Sequence, residues 1–287
     1  MTSLSRYARD LLILAVSGRL VKDLTEMRRI YAEQLARFRV IGVPGYSNGP
    51  LVSVIVPTVK NDLTLFLRLV KSIRNSTYKN YEVINVEYDP NCNKENALIK
   101  EGDKLKVVCT SVPGIGYASY LGTLFAKGDL IIRTDADAIF PPHLIDLAVR
   151  RLTSSETLSV FHVGHFYYDG ELVDNLMAFL YDKYWRRPWN TTGHFIAFKR
   201  RVLSRVNFDP KLKYHEDYNF GEKVYNLYGG GAFFFDRFNV VLVSARRIKS
   251  LGRLRYILRG YIPRPWSRTS QETYKRTQRR AVPAAFL

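Results

Sequence analysis

Cysteine is scarce in this chain: Cys92 and Cys109 are the only two in 287 residues. So few exclude a disulfide framework and a cysteine-rich metal site, and the expectation is two reduced thiols in an intracellular, cytoplasmic protein. Long hydrophobic runs are lacking too. No apolar stretch approaches the roughly 18 residues of a membrane span. The longest near the start, "LLILAV" (11–16), is followed by no small-residue cleavage site. A soluble or peripheral protein is expected. Acidic residues are in deficit, 26 against 44 basic, for a net charge of +18. The deficit sits at the ends. Residues 1–50 carry eight basic and four acidic residues, and residues 245–287 carry twelve and one, which leaves the interior close to balance. Such polarity suits an anionic membrane surface or a nucleic acid. No helix–turn–helix, zinc-finger or RNA-binding signature accompanies it, so nucleic acid is the weaker partner.

Material for a core is ample, at 46% hydrophobic and 13% aromatic residues. Apolar residues at Leu4, Tyr7, Leu11 and Leu14, then at Leu24, Met27, Tyr31, Leu35 and Phe38, follow helical spacing, with a break at Gly18. The breaker cluster "GVPGYSNGP" (42–50) bounds this N-terminal helical segment, residues 1–45. Residues 50–244 form the main domain. There "LVSVIVP" (51–57), "YEVINVEYD" (81–89), "KLKVVCT" (104–110) and "DLIIRTD" (129–135) read as strands. Residues 63–76, 93–102 and 116–128 read as the helices between them. Alternation of this kind predicts a mostly parallel sheet with helices on both faces. Further helices are expected at 141–152, 172–185 and 215–228, and strands at 158–168, 193–199 and 232–244.

Ligands of such sheets bind at the carboxyl ends of the strands. There the sequence puts Asp135 and Asp137, which would share one face if the strand ran through them. Two carboxylates held that close repel, so the pair reads either as a cation site or as an acidic turn. Hard oxygen donors suit Mg²⁺ or Mn²⁺, which is commonly held by one or two carboxylates with substrate phosphates completing its shell.

Four segments carry a family resemblance: "VSVIVPTVKND" (52–62), "YASYLGTLFAKGDLIIRTDADA" (117–138), "TTGHFIAFKRRVLSRVNFDP" (191–210) and "HEDYNFGEKV" (215–224). In this order the chain resembles family 2 glycosyltransferases, of the Rossmann-like, nucleotide-diphospho-sugar-binding GT-A type. That fold is α/β, with a mixed, mostly parallel sheet flanked by helices. The resemblance implies a UDP- or GDP-linked sugar donor, inversion at the anomeric carbon, and a metal on Asp135 and Asp137. It implies Asp217 as catalytic base, with Glu216 beside it to cap or orient. Pro57, Thr58 and Glu87 fall where the family contacts the nucleotide, and Asp135 serves donor as well as metal. The chain departs from the pattern at Ala118–Ser119–Tyr120, where many members have Ala-Arg-Asn. Arg246 or Arg247 stands where a replacement cation would be needed. The Gln-x-x-Arg-Trp signature of processive synthases is absent, which implies transfer of a single sugar. The acceptor group is a hydroxyl or a lipid phosphate, left open among glycan, lipid-linked and protein classes.

The histidines have plain readings as well. His215 suits a helix start or a metal, His194 an acceptor pocket or core, and His162 and His165 strand faces. "FLYDKYWRRPW" (179–189) suits acceptor lining or core equally. Residues 245–287 read as a basic amphipathic helix and tail. Ile248, Leu251, Leu254, Ile257 and Leu258 lie on one side, and Arg246, Lys249, Arg253 and Arg259 mostly on the other. The N-terminal spacing fits packing or homo-oligomerisation. Two rival functions stay open at this level: a nucleic-acid-binding protein on an inactive transferase fold, and a nucleotidyltransferase. The second would want a glycine-rich loop after the first strand, and "PTVKND" (57–62) has none.

Overall fold

The computed structural model describes residues 18–38, 42, 44–59, 62–92 and 97–252. In chain order it runs α1 (Arg19–Phe38), β1 (Val52–Val59), α2 (Leu63–Arg74), β2 (Tyr81–Tyr88), β3 (Ala97–Glu101), β4 (Leu105–Thr110), α3 (Ile115–Phe125), β5 (Leu130–Arg133) and α4 (Leu144–Thr153). It continues through β6 (Val160–Tyr167), α5 (Leu172–Tyr184), β7 (Ile196–Lys199), α6 (Glu216–Tyr228), β8 (Phe233–Val243) and α7 (Arg246–Leu251). The strands form one eight-stranded sheet, ordered β3-β4-β2-β1-β5-β7-β6-β8. Strands β4, β2, β1 and β5 are mutually parallel, as are β6 and β8. The edge strand β3 and the inserted β7 run antiparallel to their neighbours. The sheet is mixed and mostly parallel, and its parallel majority is what the sequence pattern predicts.

The central strands are buried on both faces, which is why they read as unbroken apolar runs rather than alternating ones. Val52, Val54 and Val56 of β1 pack with Phe66, Leu69 and Ile73 of α2 and Leu144, Ile145 and Leu152 of α4. Ile55 points the other way, to Ala118 and Leu121 of α3 and Phe220 and Val224 of α6. A buried polar lock fixes the turn that feeds β5. Ser53 donates to Glu82 Oε1 (2.6 Å), Lys106 pairs with Glu82 Oε2 (2.6 Å), and the Lys127 and Gly128 amides donate to Glu82 and Ser53. Gly128 cannot be larger: a Cβ there would lie 2.5 Å from the Leu51 carbonyl oxygen.

Three expectations change. Residues 97–101, expected within a helix over 93–102, form the edge strand β3, because pairing with β4 outweighs local helical preference in so short a segment; residues 93–96 lie outside the described residues. That antiparallel return carries the chain back along β4 and brings Cys92 to Cys109, with Cα atoms 6.1 Å apart, in a disulfide rather than as two free thiols. The fourth strand stops at Arg133, short of the acids.

The stripe at Leu24, Met27, Tyr31, Leu35 and Phe38 packs within the chain. It meets Phe166, Phe179, Leu180, Val240 and Leu242, and Met27 and Ile30 are fully buried. Lys183 pins the helix through Asp23 (2.6 Å) and Glu26 (2.5 Å). Among the described residues no helix is long and apolar enough to cross a membrane. Of the basic C-terminal segment only α7 is described; residues 253–287, and residues 1–17 of the N-terminal segment, lie outside the described residues.

Candidate active site

The carboxyl ends of β1, β2 and β5 form one rim, and β1 outlasts β5. Their pairing ends at Ile55 opposite Arg133, whereas β1 and β2 stay paired through Thr58 opposite Glu87 and Val59 opposite Tyr88. The Ile55 carbonyl accepts from Thr134, so this side of β1 faces β5. Two residues on, Pro57 faces the same side beyond the end of β5, where its missing N–H leaves no ladder position empty. Thr58 is buried and donates to Asn85 Oδ1 (2.7 Å). Glu87 is half-buried on the same rim. At about 4.8 Å per strand it lies roughly 10 Å across the sheet from β5.

Above the short β5 the chain turns. Ala138 donates to the Asp135 carbonyl, so Asp135 and Asp137 sit in a tight turn and not on one strand face. Each acid has its own arginine. Arg133, with no exposed side-chain surface, reaches Asp135 Oδ1 (2.7 Å), Glu216 Oε1 (2.5 Å), the Gly193 carbonyl (2.6 Å) and Ser119 Oγ (3.3 Å). Arg246 reaches Asp137 Oδ2 with Nε (3.1 Å) and Asp62 Oδ1 with a terminal nitrogen (2.9 Å).

The titration of the acids follows from these partners. Burial by itself would raise Asp135. Arg133, aided by His194 and Arg247, outweighs burial and holds Asp135 well below the usual carboxylate range. Burial and the adjacent Asp135 charge push Asp137 up, against the pull of Arg246. Glu216 rises to about 7, through burial first and then the charges of Asp217 and Asp135, despite Arg133.

The loop before β7 clasps the start of α6 and brings the other acids across. Gly193 N–H donates to Asp217 Oδ2 (2.6 Å), and the Thr191 hydroxyl donates to the Asp217 carbonyl (2.5 Å). Gly193 has to be glycine, since a Cβ would fall 2.0 Å from the Arg133 guanidinium. His215, just before α6, has φ 59°, the one positive φ of a non-glycine residue among the described residues. Such strain concentrates at functional sites. Glu216 faces inward to Arg133 and is buried, while Asp217 is half-exposed on the outer side.

The structure thus gathers Asp135, Glu216 and Asp217 around Arg133, and sets Asp137, Asp62 and Arg246 beside them. Pro57, Thr58 and Glu87 stand along the rim. Arg247 is exposed on α7, and its charge acts on Asp135 and Asp137. His194 Nδ1 lies 3.4 Å from Asp135 Oδ2. His162 and His165 are buried on β6. In the aromatic stretch, Phe179 is core and Trp189 stacks on Tyr225 (3.9 Å).

Sequence reasoning missed Arg133, Ser119, Gly193 and Asp62. Arg133 had a signal: a lone cation ending an apolar strand, next to acids, must be paired. Ser119, at the position where the resemblance expects arginine, accepts from the Arg133 side chain.

A divalent ion fits this donor set only in part. Among the described residues no group of three or more His, Cys, Asp or Glu side chains is arranged to hold a metal. Asp135 and Asp137 offer hard oxygens for one Mg²⁺ or Mn²⁺ whose shell a diphosphate completes.

A family model described as glycosyl transferase family 2 matches residues 53–209. An uncharacterized glycosyltransferase of Methanocaldococcus jannaschii is 24% identical over 188 residues, 61% of this chain; the match spans 65% of that relative's length. Among solved structures, glucosyl-3-phosphoglycerate synthase of Mycobacterium tuberculosis, in complex with Mn²⁺, UDP-glucose and phosphoglyceric acid, is similar at a TM-score of 0.50. It is 19% identical, with 76% of this chain and 83% of that one covered. A mannosyltransferase of Pyrobaculum calidifontis, in complex with GDP-mannose and Mn²⁺, has a TM-score of 0.49 and 18% identity, with 90% and 77% covered.

Proposed function

This chain belongs to glycosyl transferase family 2, and from that premise we propose that it moves a single sugar, with inversion, from a nucleoside-diphosphate donor to an acceptor hydroxyl. The observation that carries the reading is the separation of two acid pairs by one buried guanidinium. Asp135 and Asp137 lie on the side of the nucleotide rim, and Asp217 lies half-exposed across Arg133 from them. The domain division at about residues 45–50 and 244–245 belongs to this reading, with 50–244 as its catalytic part.

Pro57, Thr58 and Glu87 line the nucleoside side, and Arg246 and Arg247 serve the diphosphate. Asp135 and Asp137 would hold a Mn²⁺ or Mg²⁺ ion, which when bound supplies Lewis-acid neutralisation of charge on the leaving diphosphate. The donor nucleotide is UDP- or GDP-linked. Asp217 accepts the proton of the acceptor hydroxyl as its oxygen bonds to the anomeric carbon and the bond from that carbon to the diphosphate breaks. The Gly193 N–H on Asp217 Oδ2 fixes the carboxylate that receives it. Glu216 positions Arg133 rather than touching substrate.

Calorimetry with UDP and GDP, with and without Mn²⁺, tests the donor side, and single-turnover transfer tests the base. Asp137→Ala should lose metal-dependent binding. Asp217→Asn should keep it and lose turnover by about 10²–10⁴-fold, as expected for removal of a general base. Undiminished, metal-dependent nucleotide binding by Asp137→Ala, or near-normal turnover by Asp217→Asn, would defeat the assignment.

A further inference from the structure

The ion pair of Asp137 has a consequence for how the site fills. Arg246 is held from two sides, by Asp137 in the turn after β5 and by Asp62 immediately before α2. The three residues come from chain segments that meet only in the fold. Arg133 is committed to Asp135, Glu216 and the Gly193 carbonyl, so the guanidinium set on Asp137 is that of Arg246. A divalent ion on the same carboxylate would stand a few ångströms from that guanidinium. Like charges at such range repel, and the double charge of the ion strengthens the repulsion. A diphosphate changes the balance, because it brings enough negative charge for both cations to stay.

The support of Arg246 allows such a change. Its side chain is 41% exposed, so both of its carboxylate partners are met at the surface and not in the core. The backbone that carries it is fastened separately: Ala245 N–H donates to Asp169 Oδ1 (2.6 Å), Lys249 pairs with Asp169 Oδ2 (3.0 Å), and Ile248 is buried in the core. Moving the guanidinium therefore leaves α7 in place.

We propose that Arg246 is a built-in counterion of the metal carboxylate Asp137 and passes to the donor's diphosphate when metal and nucleotide enter together. The proposal rests on the reading of Asp137 as a metal ligand. It makes the metal and the nucleotide bind cooperatively, with Arg246 working against the metal alone and for the pair.

The test measures Mn²⁺ binding directly, by the electron paramagnetic resonance signal of the free ion, with Mn²⁺ alone and with Mn²⁺ plus UDP or GDP. Wild type, Arg246→Gln, Arg246→Lys and Asp137→Asn are compared, each checked for native melting. Arg246→Gln should bind Mn²⁺ alone roughly 5–10-fold more tightly than wild type and Mn²⁺ with nucleotide roughly tenfold more weakly, within the usual range of coupling between sites. Arg246→Lys, which keeps the charge and loses the two-acid reach, should fall between. Equal affinity of wild type and Arg246→Gln for Mn²⁺ alone, including no binding by either, overturns the proposal. Loss of Mn²⁺ in Asp137→Asn in the nucleotide arm keeps the metal reading whichever way Arg246 falls, and unchanged binding in that variant defeats the reading itself.

Discussion

Arg133 is the residue on which the site is organised, and its cost is large. A guanidinium with no exposed surface is stable only because Asp135, Glu216, Gly193 and Ser119 replace its water. Arg133→Met should therefore lower unfolding stability by about 3–5 kcal/mol, because it strands two buried carboxylates. Adding Glu216→Gln should return part of that loss, since one stranded charge is then removed. Urea denaturation of the single and double variants would show it, and a double variant no more stable than the single would contradict the pairing. His162 makes the opposite kind of prediction. Burial first, and then Arg186, lower its pKa to about 3, against a hydrogen bond to the Pro188 carbonyl. Between the unfolded value near 6.5 and about 3 the unfolded chain binds the extra proton, so stability falls as pH drops through that window. The contribution is on the order of 5 kcal/mol. In His162→Gln the urea midpoint should depend less steeply on pH between 6.5 and 4, and an unchanged slope would remove His162 as the cause.

At the scale of elements, local pattern succeeded where an element's surroundings match its own periodicity. α2, α4, α5 and α6 present apolar stripes to a sheet face, and their spacing announced them. β3 was misread because an edge strand is stabilised by its partner β4, which residues 93–102 do not contain. The α1 stripe was legible, but whether it met this chain or another was not. Its docking gives a prediction. Met27→Asp places a charge against Phe166 and Leu180 and should release α1 alone. Amide exchange in residues 19–38 should accelerate by orders of magnitude, while β1, β2 and β5 keep their protection; unchanged exchange in α1 would show that its packing contributes little.

For the whole molecule the charge asymmetry is the feature the fold leaves unexplained. Arg247 and Lys249 are exposed on α7, close to the site mouth, and the excess of basic residues follows them in sequence. Each basic residue near an anionic bilayer contributes about 1 kcal/mol. Vesicles containing phosphatidylserine should therefore co-sediment with the full chain, release it as salt rises, and fail to hold a chain ending at Gly252. Equal behaviour of the two chains would remove the membrane as a partner. Tighter, salt-resistant binding to duplex DNA would favour the nucleic-acid reading of the same charge.

The α/β class, the strands β1, β2 and β4, and the placing of Asp135 and Asp137 at the carboxyl end of the sheet were legible before any fold was known. These signals are local: a period of 2 or 3.6, a proline or glycine break, a charge beside an apolar run. The Asp217 assignment was legible only as a resemblance. Which cation answers which acid emerged only with the fold. Arg133 meets Glu216 83 positions away, and Arg246 meets Asp62 184 positions away. The energy of a buried ion pair depends on distance and on the water removed, and neither exists until the crossovers of the sheet have brought those segments together.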